Sequence, residues 1–228
     1  MRNHLHRKAN LRIENSDDSF FGNQPAKTGK RMRWALETTH TRSHIREDDT
    51  VNQRTPTNRF VLWVDAVGGY LVCMNHEVVL GQAVPHTQIE IPILGDLSRQ
   101  HAKIQRADGD YLIEPLEPTW INRDRIVSRA LLTDGVELTL GPSVRFRFRK
   151  PHALSATARL EFLSPHRTQP YADGILLMAE SCVLGPRTAN HVLCRKWDQD
   201  VVLYRQEDDL YCRSTESLEI DGRVCDGR

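Results

Sequence analysis

The chain has 228 residues with a formal net charge of +1, and 39% of them are hydrophobic. This length holds one large domain or two small ones, and the nearly neutral charge excludes a protein that binds nucleic acid through overall positive charge. The five cysteines form no CxxC pair, no apolar run reaches the roughly 18 residues of a membrane span and no signal-peptide core opens the chain, so we expect a cytoplasmic protein with reduced thiols.

Residues 1–57 form a polar and basic segment. Residues 1–59 contain 12 Lys and Arg against 7 Asp and Glu. Apolar residues are too sparse there to fill a core, which predicts that residues 1–57 are mostly disordered. The basic charge suggests an alternative function for this segment, which is binding to nucleic acid or to a membrane surface. The segment lacks interleaved aromatic residues and a sustained run of Lys or Arg, so we expect neither partner.

From Asn58 onward the sequence is rich in β-forming residues. "RFVLWVDAVGGYLVCMNHEVVLG" contains two runs of Val, Leu and aromatic residues, and Gly68-Gly69 between them is a hairpin signal because glycine tolerates positive φ. Asp108-Gly109 is a second hairpin signal, and "VRFRFR" alternates apolar and charged residues with the period of a strand. Short strands separated by turns predict an all-β fold, either an antiparallel β-sandwich or a barrel.

The pattern begins again after a connector, which indicates an internal repeat. "GILLMAESCVLG" at residues 174–185 is similar to "GYLVCMNHEVVLG" at residues 69–81. A constant offset of 99 residues then aligns three further pairs of segments: Ala102-Lys103-Ile104 with Val201-Val202-Leu203, Asp110 with Asp209, and Ile121-Asn122 with Ile220-Asp221. Chance similarity between β-rich segments is the alternative explanation. We therefore expect two tandem sandwich units, the second incomplete, with a boundary near residue 150.

The segment "GDLSRQHAKI" at residues 95–104 carries the most distinctive side chains of the first unit. In one interpretation Ser98 caps a turn, Arg99 points to water and His101 packs in the core. In the other, the Ser98 hydroxyl and the Arg99 guanidinium converge on an anion. The 99-residue offset replaces these three residues with Trp197, Asp198 and Asp200, so the second unit should not bind the same anion.

Residues 58–150 resemble a forkhead-associated (FHA) domain. The family pattern has a Gly-Arg pair, a Ser-x-x-His segment, an Asn-Gly-Thr stretch and a distal "L..GD.I.LG" segment. Here "VVLGQ", "LSRQHAKI", "PTWINRDRI" and "LLTDGVELTLG" occupy the corresponding places. Residues 151–228 resemble a degenerate or incomplete second copy. The resemblance implies a β-sandwich that binds phosphothreonine peptides through loops at one end.

The resemblance also implies roles for individual residues. It places Gln82, Ser98, Arg99 and Thr119 among the residues that contact the phosphopeptide. It gives structural roles to Gly81, to Asn122 and to His101, which would hold its loop through hydrogen bonds.

Two departures from the family pattern weaken the implied phosphate site. Gln82 stands where the family has an arginine, so a charged donor is missing. Glu117-Pro118 stands where the family has the Asn-Gly pair, and a carboxylate there would repel phosphate unless its side chain points away.

No motif of an enzyme active site is present: the chain lacks a P-loop, GxSxG and HExxH. We therefore expect a non-catalytic signalling adaptor with no cofactor and no metal. Its expected partner is a phosphothreonine-containing protein, such as a Ser/Thr kinase or a kinase substrate. The alternative is a structural or protein-docking β-sandwich that has lost phosphopeptide binding.

Overall fold

The computed structural model describes residues 9–15, 58–85, 89–152, 154–206 and 209–225. Within these ranges the chain forms 21 strands and no helix, which confirms the all-β prediction. The strands are β1 (Asn10–Asn15), β2 (Arg59–Val64), β3 (Gly68–Cys73), β4 (Glu77–Gln82), β5 (Ile91–Leu94), β6 (Ala102–Ala107), β7 (Asp110–Pro115), β8 (Thr119–Ile121), β9 (Asp124–Ile126), β10 (Ala130–Leu132), β11 (Glu137–Leu140), β12 (Val144–Arg149), β13 (Ala158–Phe162), β14 (Arg167–Thr168), β15 (Gly174–Leu177), β16 (Ser181–Gly185), β17 (Val192–Leu193), β18 (Val201–Gln206), β19 (Asp209–Ser214), β20 (Leu218–Ile220) and β21 (Arg223–Cys225).

The strands form three sheets. The largest has eleven strands in the order β21-β20-β1-β2-β3-β15-β13-β12-β11-β8-β9. A six-stranded sheet runs β10-β7-β6-β4-β5-β14, and a four-stranded sheet runs β17-β16-β18-β19. Most neighbours are antiparallel, as the sequence predicts, but β1 with β20, β3 with β15, β4 with β5 and β16 with β17 are parallel. The sheets are therefore mixed.

Strand β12 shows how the alternating sequence produces a sheet with one buried face. Val144, Phe146 and Phe148 are fully buried, whereas the intervening arginines face outward. The turn between β6 and β7 has positive φ at both Asp108 and Gly109, as a tight hairpin requires. In the β2–β3 hairpin φ is positive at Ala66 in the turn and at Gly68, the first residue of β3, while Gly69 pairs with Trp63 in the ladder. The glycine signal thus located the hairpin but not its turn.

The eleven-stranded sheet buries a hydrophobic core on each face. One core lies against the six-stranded sheet and includes Leu71 and Ile175; the other lies against the four-stranded sheet and includes Val72 and Leu176. Leu71 and Val72 are neighbours in β3, and Ile175 and Leu176 are neighbours in β15, so successive side chains of each strand enter opposite cores. Strands β3 and β15 are apolar on both faces for this reason.

The two cores are covered by sheets with the same strand order. Strand β4 pairs in parallel with β5 and antiparallel with β6, which continues into β7; β16 has the same relation to β17, β18 and β19. Strands β6 and β18 start 99 residues apart, as do β7 and β19. The hairpins β8–β9 and β20–β21 follow, and Asn122 and Asp221 have the same φ of 49° in their turns.

Strand β1 differs from the disorder expected for residues 1–57. Ala9 and Leu11 are buried in the second core, and β1 lies between β2 and β20 in the large sheet. The alternation of Leu11 and Ile13 with polar residues suits a strand, but its partners are distant in sequence and give no local signal. Residues 1–8 and 16–57, including the rest of the predicted disordered segment, lie outside the described residues.

The boundary expected at residue 150 lies within the shared sheet. Strand β12 pairs with β13 across it, and β3 pairs with β15. The second core takes Phe60, Leu62 and Val72 from strands before residue 150. The C-terminal strands therefore depend on the N-terminal part of the chain for one wall of their core, which supplies seven of its nineteen buried residues.

A fragment of residues 151–228 should not fold alone. Without β1, β2 and β3 it loses one wall of the second core, and β15 gains an unpaired edge. We expect the fragment to be insoluble or to lack a cooperative thermal transition by circular dichroism, whereas the full chain melts cooperatively. A soluble fragment with a cooperative transition would contradict the dependence.

His191 links the loop between β16 and β17 to the large sheet. Its side chain is buried, its Nδ1 accepts a hydrogen bond from Val183 N at 2.9 Å, and its carbonyl oxygen accepts one from the Arg159 guanidinium. Burial lowers the pKa of His191 to about 4 from 6.5, with further contributions from His152 and Arg159. The imidazole is therefore neutral in the folded protein at pH 7.

Acidification should destabilise the fold through His191. The folded state resists protonation of this ring while the unfolded chain accepts a proton below pH 6.5, so stability is fully present above 6.5 and falls as the pH drops towards 4. The lowered pKa corresponds to about 3 kcal/mol over this interval. Urea denaturation at several pH values should give a smaller pH dependence for His191→Gln than for the natural chain; equal dependences would contradict this assignment.

Candidate functional site

An open pocket of about 660 Å³ lies where the ends of β4, β5 and β7 approach the loop before β6. Two of the residues on its wall, Ile89 and Leu97, are buried apolar side chains, and the others are polar or charged. The pocket is lined by Gln82, Ile89, Leu97, Ser98, Arg99, Gln100 and Glu117. Three of the four residues expected to contact a phosphopeptide, Gln82, Ser98 and Arg99, therefore share one cavity.

Gly81 allows the Ser98–Arg99 segment to lie directly on β4. The Gln82 amide donates to the Ser98 carbonyl oxygen at 2.9 Å. A β-carbon at position 81 would collide with the carbonyl oxygen of Arg99 and would lie within 3.0 Å of that of Ser98. The absence of a side chain at Gly81 thus sets the position of the loop that carries the hydroxyl and the guanidinium.

His101 connects the two loops that form the pocket. Its side chain is only 3% exposed, and its backbone amide donates to Leu80 O at 2.8 Å. The ring Nδ1 accepts from Ser98 N at 3.4 Å, and Nε2 lies 3.0 Å from Pro118 O. A neutral ring with its proton on Nε2 satisfies both contacts. His101 therefore acts as a bridge between residue 98 and residue 118.

The backbone of the second loop is held by the same residue. Leu116 N and Glu117 N both donate to His101 O, at 3.1 and 3.0 Å. The Thr119 hydroxyl donates to Glu117 O at 2.9 Å, and its side chain is fully buried. Thr119 therefore stabilises the loop from within and does not line the pocket. The sequence resemblance had implied that Thr119 contacts the ligand. Thr119 is the first residue of β8, and its hydroxyl faces the preceding loop.

Arg99 and Glu117 give the pocket two opposite charges. Both side chains are exposed, and neither forms an ion pair with any of the described residues. Within the same part of the chain, the Ser98 hydroxyl has no hydrogen-bond partner. Glu117 is one of the residues that line the pocket, where a carboxylate repels phosphate. The pocket can therefore donate hydrogen bonds from Ser98, Arg99 and Gln82 while it presents one carboxylate.

Asn122 lies away from the pocket wall, in the turn between β8 and β9. Its φ is 49°, its amide donates to Glu137 O and its Oδ1 accepts from Glu137 N, both at 2.9 Å. Asparagine tolerates this left-handed conformation better than most residues. Asn122 therefore fixes the hairpin to β11.

The corresponding loop of the second set of strands is closed by its own side chains. Asp200, which the 99-residue offset aligns with His101, accepts a hydrogen bond from Asn190 Nδ2 at 2.7 Å and forms an ion pair with Arg187. Gly185 lies against both Asp200 and Asn190, as Gly81 lies against its own loop. The Arg187 guanidinium on the β16–β17 loop thus has a carboxylate partner on the β17–β18 loop, whereas Arg99 has no carboxylate partner among the described residues.

Other classes of site are not evident in the described ranges. These residues contain no group of three or more His, Cys, Asp or Glu that could hold a metal ion. Among them there is also no helix long and apolar enough to cross a membrane. Sequence reasoning missed Ile89, Leu97 and Gln100 as pocket residues; only Leu97 and Gln100 had a signal, since they flank Ser98 and Arg99.

Replacement of Gly81 should damage the pocket and the fold together. Gly81→Ala forces the backbone at Arg99 to move, because a carbonyl oxygen has no alternative rotamer. We expect a loss of about 2 kcal/mol in the free energy of unfolding, measured by urea denaturation. Unchanged stability would mean that the Ser98–Arg99 segment is not held against β4.

The family comparison agrees with this location of the site. Residues 78–141 match the family model described as FHA domain. This range contains all the residues predicted for the site and ends before β12; the second set of strands lies outside it. No curated protein matches the chain. Residues 78–141 are therefore similar to a class of generally non-catalytic interaction modules that bind phosphothreonine-containing proteins.

Proposed function

We propose that the pocket binds a phosphothreonine peptide. The observation that carries the proposal is the open pair of Ser98 and Arg99 on a loop fixed by Gly81 and His101, inside the range that matches the FHA domain. A phosphothreonine has close to two negative charges and three acceptor oxygens at pH 7. The Ser98 hydroxyl donates to one oxygen, and the Arg99 guanidinium donates charge-assisted hydrogen bonds to the others.

The remaining predicted residues support this contact in different ways. Gln82 donates from its amide to the phosphate or to the peptide backbone, since it lines the same pocket. Gly81 and His101 position the Ser98–Arg99 loop, and Thr119 positions the loop of Glu117. Asn122 lies further from the pocket, where it stabilises the β8–β9 turn.

The proposed biological role is that of a signalling adaptor without catalytic activity. Its partner would be a phosphothreonine-containing protein, such as a Ser/Thr kinase or a kinase substrate. A cytoplasmic location is part of the proposal. In its support, no disulfide joins the five cysteines, and burial raises the pKa of the Cys73, Cys182 and Cys194 thiols to about 12, which keeps them protonated and unreactive.

We also propose that the strands after residue 150 are a degenerate FHA-like copy without a phosphate site. The shared strand order and the common 99-residue offset support the relationship. Closure of the second loop by Arg187, Asn190 and Asp200 supports the loss of binding, because an anion would have to displace an internal carboxylate. In this proposal the second copy contributes packing and leaves one binding site per chain.

A second candidate function is a structural or protein-docking sandwich that no longer binds phosphate. Two observations favour it: the neutral Gln82 removes a charged donor from the pocket, and Glu117 places a carboxylate in it. Charge–charge repulsion between a phosphate and a carboxylate a few ångströms apart amounts to about 1 kcal/mol or more per unit charge even in water. The two candidates differ in whether phosphorylation of a peptide changes its affinity for the natural chain.

Substitutions in the pocket test the proposed contact. Ser98→Ala and Arg99→Ala should each weaken binding of a phosphothreonine peptide by about 1 to 3 kcal/mol, measured by calorimetry, because hydrogen bonds to a charged group are lost. Gln82→Arg should tighten binding by adding a charged donor. Arg195→Ala removes an exposed arginine from the closed second loop and serves as the matched control, with unchanged affinity.

The pattern of results separates the two candidate functions. Equal affinities for phosphorylated and unphosphorylated peptides in the natural chain would contradict phosphothreonine binding. If Gln82→Arg alone introduced a preference for the phosphorylated form, the docking function would be favoured and the pocket would be a site that has lost its activity.

A further inference from the structure

Glu117 indicates the charge of the residues beside the phosphothreonine. We propose that the natural ligand carries a Lys or Arg close to the phosphothreonine and that Glu117 selects it. This inference rests on the proposed function, because it concerns the same pocket. It follows from the placement of a carboxylate within the cavity that also contains Ser98 and Arg99.

The backbone of Glu117 is fixed relative to the phosphate-contacting residues. Its amide donates to His101 O, its carbonyl oxygen accepts from the buried Thr119 hydroxyl, and the following Pro118 carbonyl lies 3.0 Å from the His101 ring. The same ring contacts Ser98 N. The backbone of Glu117 is therefore joined to the Ser98–Arg99 loop through a short series of hydrogen bonds, so both residues border the space that a ligand enters.

Glu117 differs from the neighbouring carboxylates in its partners. Glu114 pairs with Arg129 at 2.9 Å, and Glu137 pairs with Arg147 at 3.1 Å. Glu117 forms no such pair with the residues that the structure describes, although Arg99 lines the same pocket. Both charges of the pocket remain available to a ligand.

Because a phosphothreonine is highly charged, the charges of the peptide residues beside it affect how tightly the peptide binds next to Glu117. A phosphate bound at Arg99 brings close to two negative charges towards Glu117, and the repulsion is felt by any peptide with neutral or acidic neighbours. A Lys or Arg in the peptide pairs with Glu117 and removes this penalty. The pocket then matches a ligand with adjacent negative and positive charges, and it discriminates against acidic phosphopeptides.

The test uses the full chain and synthetic peptides with a central phosphothreonine in an alanine background. Lys, Ala or Glu is placed in turn at each of the flanking positions, and each peptide has an unphosphorylated twin. We expect Lys at one or more positions to tighten binding by about two- to fivefold over Ala, the range of an exposed ion pair, and Glu there to weaken it.

Variants of Glu117 assign the preference to this residue. Glu117→Gln should abolish the preference for Lys and tighten the Ala peptide, and Glu117→Lys should favour Glu in the peptide. Glu114→Gln, which removes a carboxylate already paired with Arg129, should keep the preference for Lys. The side chain of Glu117 is exposed, so neither replacement should prevent folding.

The outcomes distinguish this inference from the proposed function. Phosphate-dependent binding without a preference for Lys, or a preference that survives Glu117→Gln, would overturn the role of Glu117 while leaving phosphothreonine binding intact. Equal binding of phosphorylated and unphosphorylated twins at every position would overturn both.

Discussion

The parallel pairing of β3 with β15 determines how the rest of the molecule packs. Four residues of each strand are in register, from Tyr70 opposite Gly174 to Cys73 opposite Leu177. The pairing joins strands about a hundred residues apart into one sheet, and both strands contribute apolar side chains to both faces. Burial on both faces requires a covering sheet on each side, so the six-stranded and four-stranded sheets are stabilised by a common layer.

The candidate pocket depends on this layer only indirectly, through the rigid strands that carry its loops. Strands β4 and β6 pair within the covering sheet, and the loops at their ends are joined by Gly81 and His101. A buried, hydrogen-bonded histidine positions the partly exposed Ser98 and the exposed Arg99. Because the buried His101 already fixes the loops, less conformational entropy of these loops is lost when a ligand binds.

The comparison of the two loops shows how one strand order can hold two different chemical environments. Arg99 faces an open pocket, whereas Arg187 is paired with Asp200. His101 joins its two loops through hydrogen bonds and leaves Arg99 exposed, whereas Asp200 pairs directly with the guanidinium of Arg187. A shared strand order therefore does not by itself imply a shared chemistry at the loops.

The sequence predicted those features that depend on local patterns. The alternation in "VRFRFR", the Asp108-Gly109 turn and the 99-residue offset located strands, a hairpin and the repeated strand order. It did not predict β1 or the β3–β15 pair, because long-range pairing leaves no periodic signal of its own.

Three features of the pocket and of the loops that form it could not be predicted from the sequence. The Glu117 backbone is held by a hydrogen bond from its amide to the carbonyl oxygen of His101, which is distant in sequence, and the buried Thr119 hydroxyl donates to Glu117 O. Ile89, which lines the pocket and precedes β5 by two residues, had no signal in the sequence. By contrast, the resemblance to the FHA family had placed Gln82, Ser98 and Arg99 in one site, and all three line the pocket.

Nuclear magnetic resonance tests phosphate recognition by the pocket most directly. The ¹⁵N-labelled full chain is titrated with a phosphothreonine peptide and, separately, with its unphosphorylated twin. The account predicts that the phosphorylated peptide alone shifts the backbone amide signals of Gln82, Ser98 and Arg99, while those of residues 186–200 in the closed loop stay unchanged. Identical spectra with the two peptides, or shifts confined to residues outside the pocket, would contradict it.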